Sequence, residues 1–173
     1  MADSSIAIQY LLKQEDSTLS GKVTTDAGGR TRFGVAEKFH PSLTNTGFYD
    51  TMETANALNT AIGIFNQEYA IPLQLTNILD QDTANAILSF AANIGLETEV
   101  KLLQQAINVP IDGKIGPVTL GRLNSSLKAA LLRLMYNFHI YYYTKVVQDN
   151  PVEEVNLTGW TNRTKQNCLM QYT

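Results

Sequence analysis

Four glycines, Gly21, Gly28, Gly29 and Gly34, crowd the residues from 15 to 34. Each glycine inside a helix costs roughly 1 kcal/mol relative to alanine, so no helix runs through this stretch. β-Favouring Val23, Thr24, Thr25 and Phe33 stand among them, and the segment reads as a small hairpin or irregular β-lobe. Helical periodicity flanks it on both sides. The chain therefore combines many helices with one small β element placed early, an α+β layout that is predominantly α-helical.

Before the lobe, Ile8, Leu11 and Leu12 form an i, i+3, i+4 stripe that predicts a helix over 4–14, capped by Ser4 or Ser5. Residues 35–50 read as loop, with Pro41, Asn45 and Gly47. A helix is expected over 51–69, carrying Ala57, Ala61, Ile64, Phe65 and Tyr69, with Pro72 closing the run. Further helices are expected over 82–94, where Gly95 suits the position after the end, over 98–107, and from Pro117, a residue favoured in a first turn. The longest run, 126–147, is rich in Leu and Tyr and breaks at Asp149-Asn150-Pro151; a short helix over 159–169 follows. With no internal repeat, one domain is expected over 1–173, with a front lobe over about 1–80 and an all-helical lobe over about 81–173.

A chain of 173 residues buries roughly 70% of the surface its unfolded form exposes, so its core needs neither disulfide nor metal. Cys168, the single cysteine, cannot form an internal bridge. It reads as inert rather than as a nucleophile, since a reactive thiol needs a thiolate-stabilising setting. A net charge of −3 and a pI near 5.3 argue against a nucleic-acid partner. The apolar stretch from Ile6 to Leu12 is broken by Gln9 and preceded by Asp3 rather than a basic residue, which is not the pattern of a secretory signal. No apolar run approaches the roughly 18 residues of a membrane span, so no membrane insertion is expected. His40 and His139 lack a Cys or second His at ligand spacing; no metal and no cofactor are expected.

Chemistry starts with carboxylates. Cleaving a glycosidic bond takes an acid to protonate the leaving oxygen and a second carboxylate to activate water or steady positive charge on the sugar. Glu15 falls where the first helix ends and the β-lobe begins, and Asp26 falls just before Gly28-Gly29, across the hairpin. Such a pair could flank a cleft. By spacing alone, Glu15, one of 16 acidic residues, reads first as a solvated surface group.

The words around these residues are more specific. The run Asp26-Ala27-Gly28-Gly29-Arg30-Thr31-Arg32-Phe33-Gly34-Val35 resembles the front motif of glycoside hydrolase family 108, a family of lysozymes of the endolysin and secretion-activator type. There a helix ends in Glu-Gly-Gly and Asp-x-Gly-Gly-x-Thr-x-aromatic-Gly-Ile/Val follows. The resemblance continues in Ala86 to Gly95, like the family's helix ending in Asn-x-Gly. It extends through Leu103-Gln104 with Asp112-Gly113-Lys114-Ile115-Gly116-Pro117-Val118-Thr119-Leu120, and through Gly159-Trp160-Thr161-Asn162-Arg163. Three departures stand out. Glu-Gly-Gly is Glu15-Asp16-Ser17, the stretch to Gly28 is about two residues longer than usual, and Ser89 stands where the family commonly has Asp.

The resemblance implies a lysozyme-like fold and a peptidoglycan substrate; the chain is expected to be a monomer. It puts the catalytic acid on Glu15, with Asp26 and Thr31 positioning water or steadying the transition state. Arg32, Phe33 and Asn93 are then expected to contact substrate. Asn93 has a second reading, bracing the helix end beside Gly95. The Asp112 loop resembles loops of peptidoglycan-binding modules, yet Asp112-Gly113 reads equally as a tight turn. Trp160 and Tyr141-Tyr142-Tyr143 read as core packing ahead of sugar platforms. The sequons at Asn124, Asn156 and Asn162 read as chance without a secretory signal.

The leading expectation is hydrolysis of the β-1,4 bond between N-acetylmuramic acid and N-acetylglucosamine. A non-catalytic wall-binding protein on the same fold is the alternative; a wall amidase or peptidase lacks its zinc or Cys/His set. The protein is expected to be made in the cytoplasm and to reach the wall by holin-type release or specialised secretion, as a phage endolysin, a bacterial remodelling enzyme or an injected effector.

Overall fold

The computed structural model describes residues 1–26 and 29–169. In chain order these form α1 (Ser4–Glu15), β1 (Thr24–Asp26), β2 (Gly29–Arg32), β3 (Val35–Ala36), α2 (Thr54–Phe65), α3 (Gln81–Ile94), α4 (Leu96–Ala106), α5 (Pro117–Ser125), α6 (Lys128–Asp149) and α7 (Glu154–Cys168). The class is the expected one, helical with one small sheet near the front.

The centre of the molecule is α3. Its residues are buried without a break from Thr83 to Ala91. A helix buried on all faces must be surrounded, and α1, α4 and α7 pack around it. Asp80 starts it by accepting the Thr83 amide at 2.8 Å, and Gly95, at φ +90°, turns the chain into α4. The helix α1 presents Ala7, Ile8, Leu11 and Leu12 to this core. Its cap is Asp3, one residue before the expected serines; the carboxylate accepts the Ser5 amide at 2.8 Å and the Ser5 hydroxyl at 2.7 Å.

The sheet is antiparallel in the order β1-β2-β3. Thr31 stands opposite Thr24 on one side and Ala36 on the other, and Asp26 stands opposite Gly29. Between β2 and β3 the turn is only Phe33-Gly34, at φ +51° and +78°. Two positive φ values at the centre of a two-residue hairpin match its tightest form. Gly34 takes that conformation freely; Phe33 is held in it by burial, at 2% exposure, with its ring against Gly21.

Elsewhere the elements differ from the sequence reading at their edges. The segment 35–50 contains β3 and a 3₁₀ helix, Pro41–Thr46, rather than plain loop. The last turn after α2 widens into a π-helix over Asn66–Ala70. The final helix begins at Glu154, because a 3₁₀ turn over Pro151–Glu153 feeds straight into it.

Candidate active site

Glu15 is the last residue of α1, and its neighbour Asp16 organises the loop beyond it. The Asp16 carboxylate accepts the Gly21 amide at 2.8 Å and the hydroxyls of Thr18 and Ser20 at 2.9 and 3.1 Å. Burial works to raise the Asp16 carboxyl, but these hydrogen bonds outweigh it and hold the group below its usual range. Asp16 itself is extended, at φ −144°, so glycine is not required where the family motif has it. The longer loop is thus folded around the side chain that the motif lacks.

Two contacts fix Glu15. The first is with the β-lobe: a Cβ on Gly34 would lie 2.8 Å from Glu15 Cγ and 3.4 Å from Cδ. Only glycine lets the Phe33-Gly34 turn come this close. The second is with α7: Arg163 Nη1 donates to Glu15 Oε1 at 2.7 Å, and the two side chains are 22% and 26% exposed. Oε2 has no hydrogen-bond partner among the described residues. The guanidinium therefore aims the carboxylate and leaves one oxygen available.

Behind this pair lies a polar knot joining α1, α3 and α7. Ser89 donates to Gln14 Oε1 at 2.5 Å and accepts from Asn167 Nδ2 at 3.0 Å. Asn167 Oδ1 accepts from Gln14 Nε2 at 2.9 Å and from Tyr10 at 3.0 Å. Gln14 precedes Glu15, and Asn167 lies one helical turn after Arg163. Ser89 and Asn167 are fully buried, so the knot locks both ends of the ion pair from behind.

Two hollows lie nearby, one lined by Gly34, which Glu15 touches, and one by Trp160, a helical turn before Arg163. The larger, of about 340 Å³, runs between Gly34, Val35 and Ala36 of the β-lobe and Phe65, Tyr69 and Ala92 of the helical side. His40 Nε2, 3.1 Å from both Glu68 carboxylate oxygens, ties its two walls together. The smaller, of about 210 Å³, is lined by Asn93, Ile94, Tyr142, Tyr143, Val146 and Trp160. Ala92 faces one and Asn93 the other, so the end of α3 divides them.

Of the residues expected from sequence, Thr31 lies partly exposed on β2, its hydroxyl without a partner among the described residues. Asp26 closes β1 next to it in the sheet; its side chain, with Ala27 and Gly28, lies outside the described residues. Arg32 departs from its expected contact with substrate. It is 5% exposed, and its guanidinium donates to the backbone carbonyls of Gly21, Phe48 and Met52 at 2.7 to 2.9 Å. Every one of those acceptors is protein, so Arg32 pins the β-lobe to the following loop. Phe33 likewise packs inward instead of facing a ligand. Asn93 Nδ2 donates to the Tyr143 hydroxyl of α6 at 2.7 Å, and the residue lines the smaller hollow.

Arg163 is the residue that the sequence reading missed. It was visible only as the last letter of Gly-Trp-x-Asn-Arg, and a lone Arg on a helix carries no sign of a partner 148 positions earlier. Cys168 is buried in the core, and burial raises its thiol well above the usual range, which fits packing and not nucleophilic chemistry. The Asp112 loop is tied down by buried Gln104. Gln104 Oε1 accepts the amides of Asp112 and Gly113 at 3.0 and 2.9 Å, and Nε2 donates to Asp112 at 2.7 Å and to Lys114 O at 2.9 Å. That motif builds a turn. Among the described residues no group of three His, Cys, Asp or Glu could hold a metal ion, and no helix is long and apolar enough to cross a membrane.

The helices around α3 thus hold a carboxylate between a β-turn and an arginine, with open hollows nearby. Comparison with known families supplies the class. Residues 8–95 match the family described as glycosyl hydrolase 108, and residues 98–165 match the predicted peptidoglycan domain. The chain belongs to the glycosyl hydrolase 108 family. It is a glycoside hydrolase directed at peptidoglycan. A solved structure of SagA from Brucella abortus is similar in fold, with a TM-score of 0.72 at 19% identity, covering 94% of this chain and 90% of that one. No curated protein matched the sequence.

Proposed function

We propose that the protein is an N-acetylmuramidase, cleaving the β-1,4 bond between N-acetylmuramic acid and N-acetylglucosamine, with Glu15 as the general acid. The observation that carries this reading is the placement of Glu15. Its side chain lies on Gly34, which lines the larger hollow, with Oε1 taken by Arg163 and Oε2 without a partner among the described residues. A glycan strand in that hollow would bring the scissile oxygen to Oε2. Thr31, on the strand next to Asp26, is assigned to the water or to the charge that develops on the sugar. Arg163 directs the carboxylate and has to yield or shift when Glu15 carries its proton. In this reading the enzyme acts as a monomer on glycan strands once it has reached the wall.

Glu15→Gln should keep the fold and lower the release of reducing ends from purified peptidoglycan by about 10²–10⁴-fold, the usual worth of a positioned acid. Activity within threefold of wild type would remove Glu15 from this role. The match of residues 98–165 to a peptidoglycan domain favours a second reading, wall binding without cleavage. Wild-type protein that sediments with peptidoglycan yet releases no reducing ends would select it.

A further inference from the structure

The smaller hollow has features that the hydrolytic reading does not use. Its floor is aromatic: the Trp160 indole stacks on buried Tyr143, with ring centroids 4.9 Å apart and planes 20° from parallel, and Tyr142 stands edge-on to Tyr143 at 5.5 Å. Tyr143 is fixed from the other side by Asn93 Nδ2 and lies near the His139 ring, itself stacked on Phe90. The platform is therefore rigid. Trp160 and Tyr142 remain partly exposed, so part of each ring faces the hollow.

Two polar atoms at this platform have no partner among the described residues. Asn93 uses its amide N–H on Tyr143, and its Oδ1 has no partner among the described residues. The Trp160 indole N–H also has none. An acceptor and a donor thus flank a flat apolar surface. That combination suits an N-acetylated hexosamine, whose C–H face packs on an aromatic ring while its acetamido group offers one N–H and one C=O. A plain hexose has no such amide to offer. The position fits as well: Trp160 lies one helical turn before Arg163, which holds Glu15, and Asn93 adjoins Ala92 of the larger hollow.

We propose that the hollow formed by Asn93, Tyr142, Tyr143 and Trp160 is a subsite that seats an N-acetylhexosamine residue of the glycan beside the residue being cleaved. The subsite rests on the reading of the protein as a glycan hydrolase, but it is read out separately. Trp160 is the sole tryptophan of the chain, so emission excited at the indole edge reports on this hollow alone. The Glu15→Gln variant is titrated with N,N′,N″-triacetylchitotriose and, in parallel, with cellotriose, which carries hydroxyls in place of the acetamido groups. The expected result is a saturable change in Trp160 emission with triacetylchitotriose, and affinity for cellotriose weaker by about two- to tenfold per lost amide hydrogen bond. Tyr142→Ala should weaken triacetylchitotriose by a similar factor while its circular dichroism matches that of the parent. In the active protein Trp160→Phe should raise KM for glycan strands with kcat nearly unchanged.

Unchanged Trp160 emission in a protein whose wild type releases reducing ends overturns the subsite and leaves the hydrolase standing. Equal response to both trisaccharides overturns recognition of the acetamido group. A selective response in a protein that releases no reducing ends supports the subsite and removes the muramidase reading.

Discussion

At the scale of single residues, the site is made by one glycine and one arginine. Gly34 meets two demands at once, a positive φ and contact with Glu15 that leaves no room for a Cβ. Gly34→Ala should therefore lower stability and, in the folded fraction, displace Glu15; activity per folded molecule is expected to fall at least about tenfold, as small misplacements near a reacting group do. A variant that melts early but turns over normally would show that the turn does not position the acid. Arg163 gives the opposite signature. A partly exposed ion pair contributes only about 0–1 kcal/mol, so Arg163→Ala should barely change the melting temperature while reducing kcat. Loss of stability without loss of kcat would make the pair a mere brace. The place of Glu15, at the end of α1 beside the β-lobe, was readable from sequence because its neighbours form a motif. Arg32 and Phe33 misled because motif membership marks a position without saying which way its side chain faces. Here both face inward, Arg32 to satisfy three carbonyls and Phe33 to cover Gly21.

At the scale of elements, helix positions were readable where burial is one-sided. The stripe of α1, the helix end at Gly95 and the first-turn Pro117 follow directly from spacing. The start of α7 did not, because Gly159 lies inside it and local propensity argues for a break there. Packing against α6 and α3 overrides that preference. Polar contacts between elements were not readable at all. The Ser89 knot is one: Ser89→Ala would leave Gln14 Oε1 without the Ser89 donor and remove an acceptor from Asn167. It should cost about 1–3 kcal/mol, measured by denaturant melts; a cost well below that range would mean that water replaces the hydroxyl. The second is Glu99 with His139, both about fully buried, at 2.7 Å, linking α4 to α6. His139 Nδ1 faces the Met135 carbonyl at 2.7 Å and so carries a proton there. Glu99 and Nε2 then share one more. Glu99→Gln preserves that bond with a neutral imidazole and should keep or raise stability at neutral pH, while His139→Ala, which strands a buried carboxylate, should cost about 3–5 kcal/mol.

At the scale of the whole molecule, one buried cluster runs from Ala2 to Cys168 and draws on both lobes. We therefore expect a single cooperative melting transition; two resolved transitions would divide the chain into separate units. Its acid limb has an identifiable source. Hydrogen bonds from Arg30, then Thr44, hold the Glu37 carboxyl down at about 2 against an ordinary 4.5. A depressed carboxylate stabilises the fold above its ordinary value and loses that contribution as pH falls through the folded one. Glu37→Gln should accordingly flatten the decline in melting temperature between 4.5 and about 2. Glu99 acts with the opposite sign: burial raises its carboxyl, so its ionisation opposes folding as pH rises past 4.5, and Glu99→Gln should remove that slope.

The contact between Glu15 and Arg163 closes a loop of 148 residues. Loops of that length close late in folding, after local helices and turns have formed. A growing or truncated chain can hence assemble its front motif in full and still lack the arginine that holds Glu15. The segment matched to the hydrolase family ends at residue 95, and expressed alone it would carry Glu15 without Arg163. In the reading proposed above, activity then waits until the distant helix docks, a latency set by the chain's own topology.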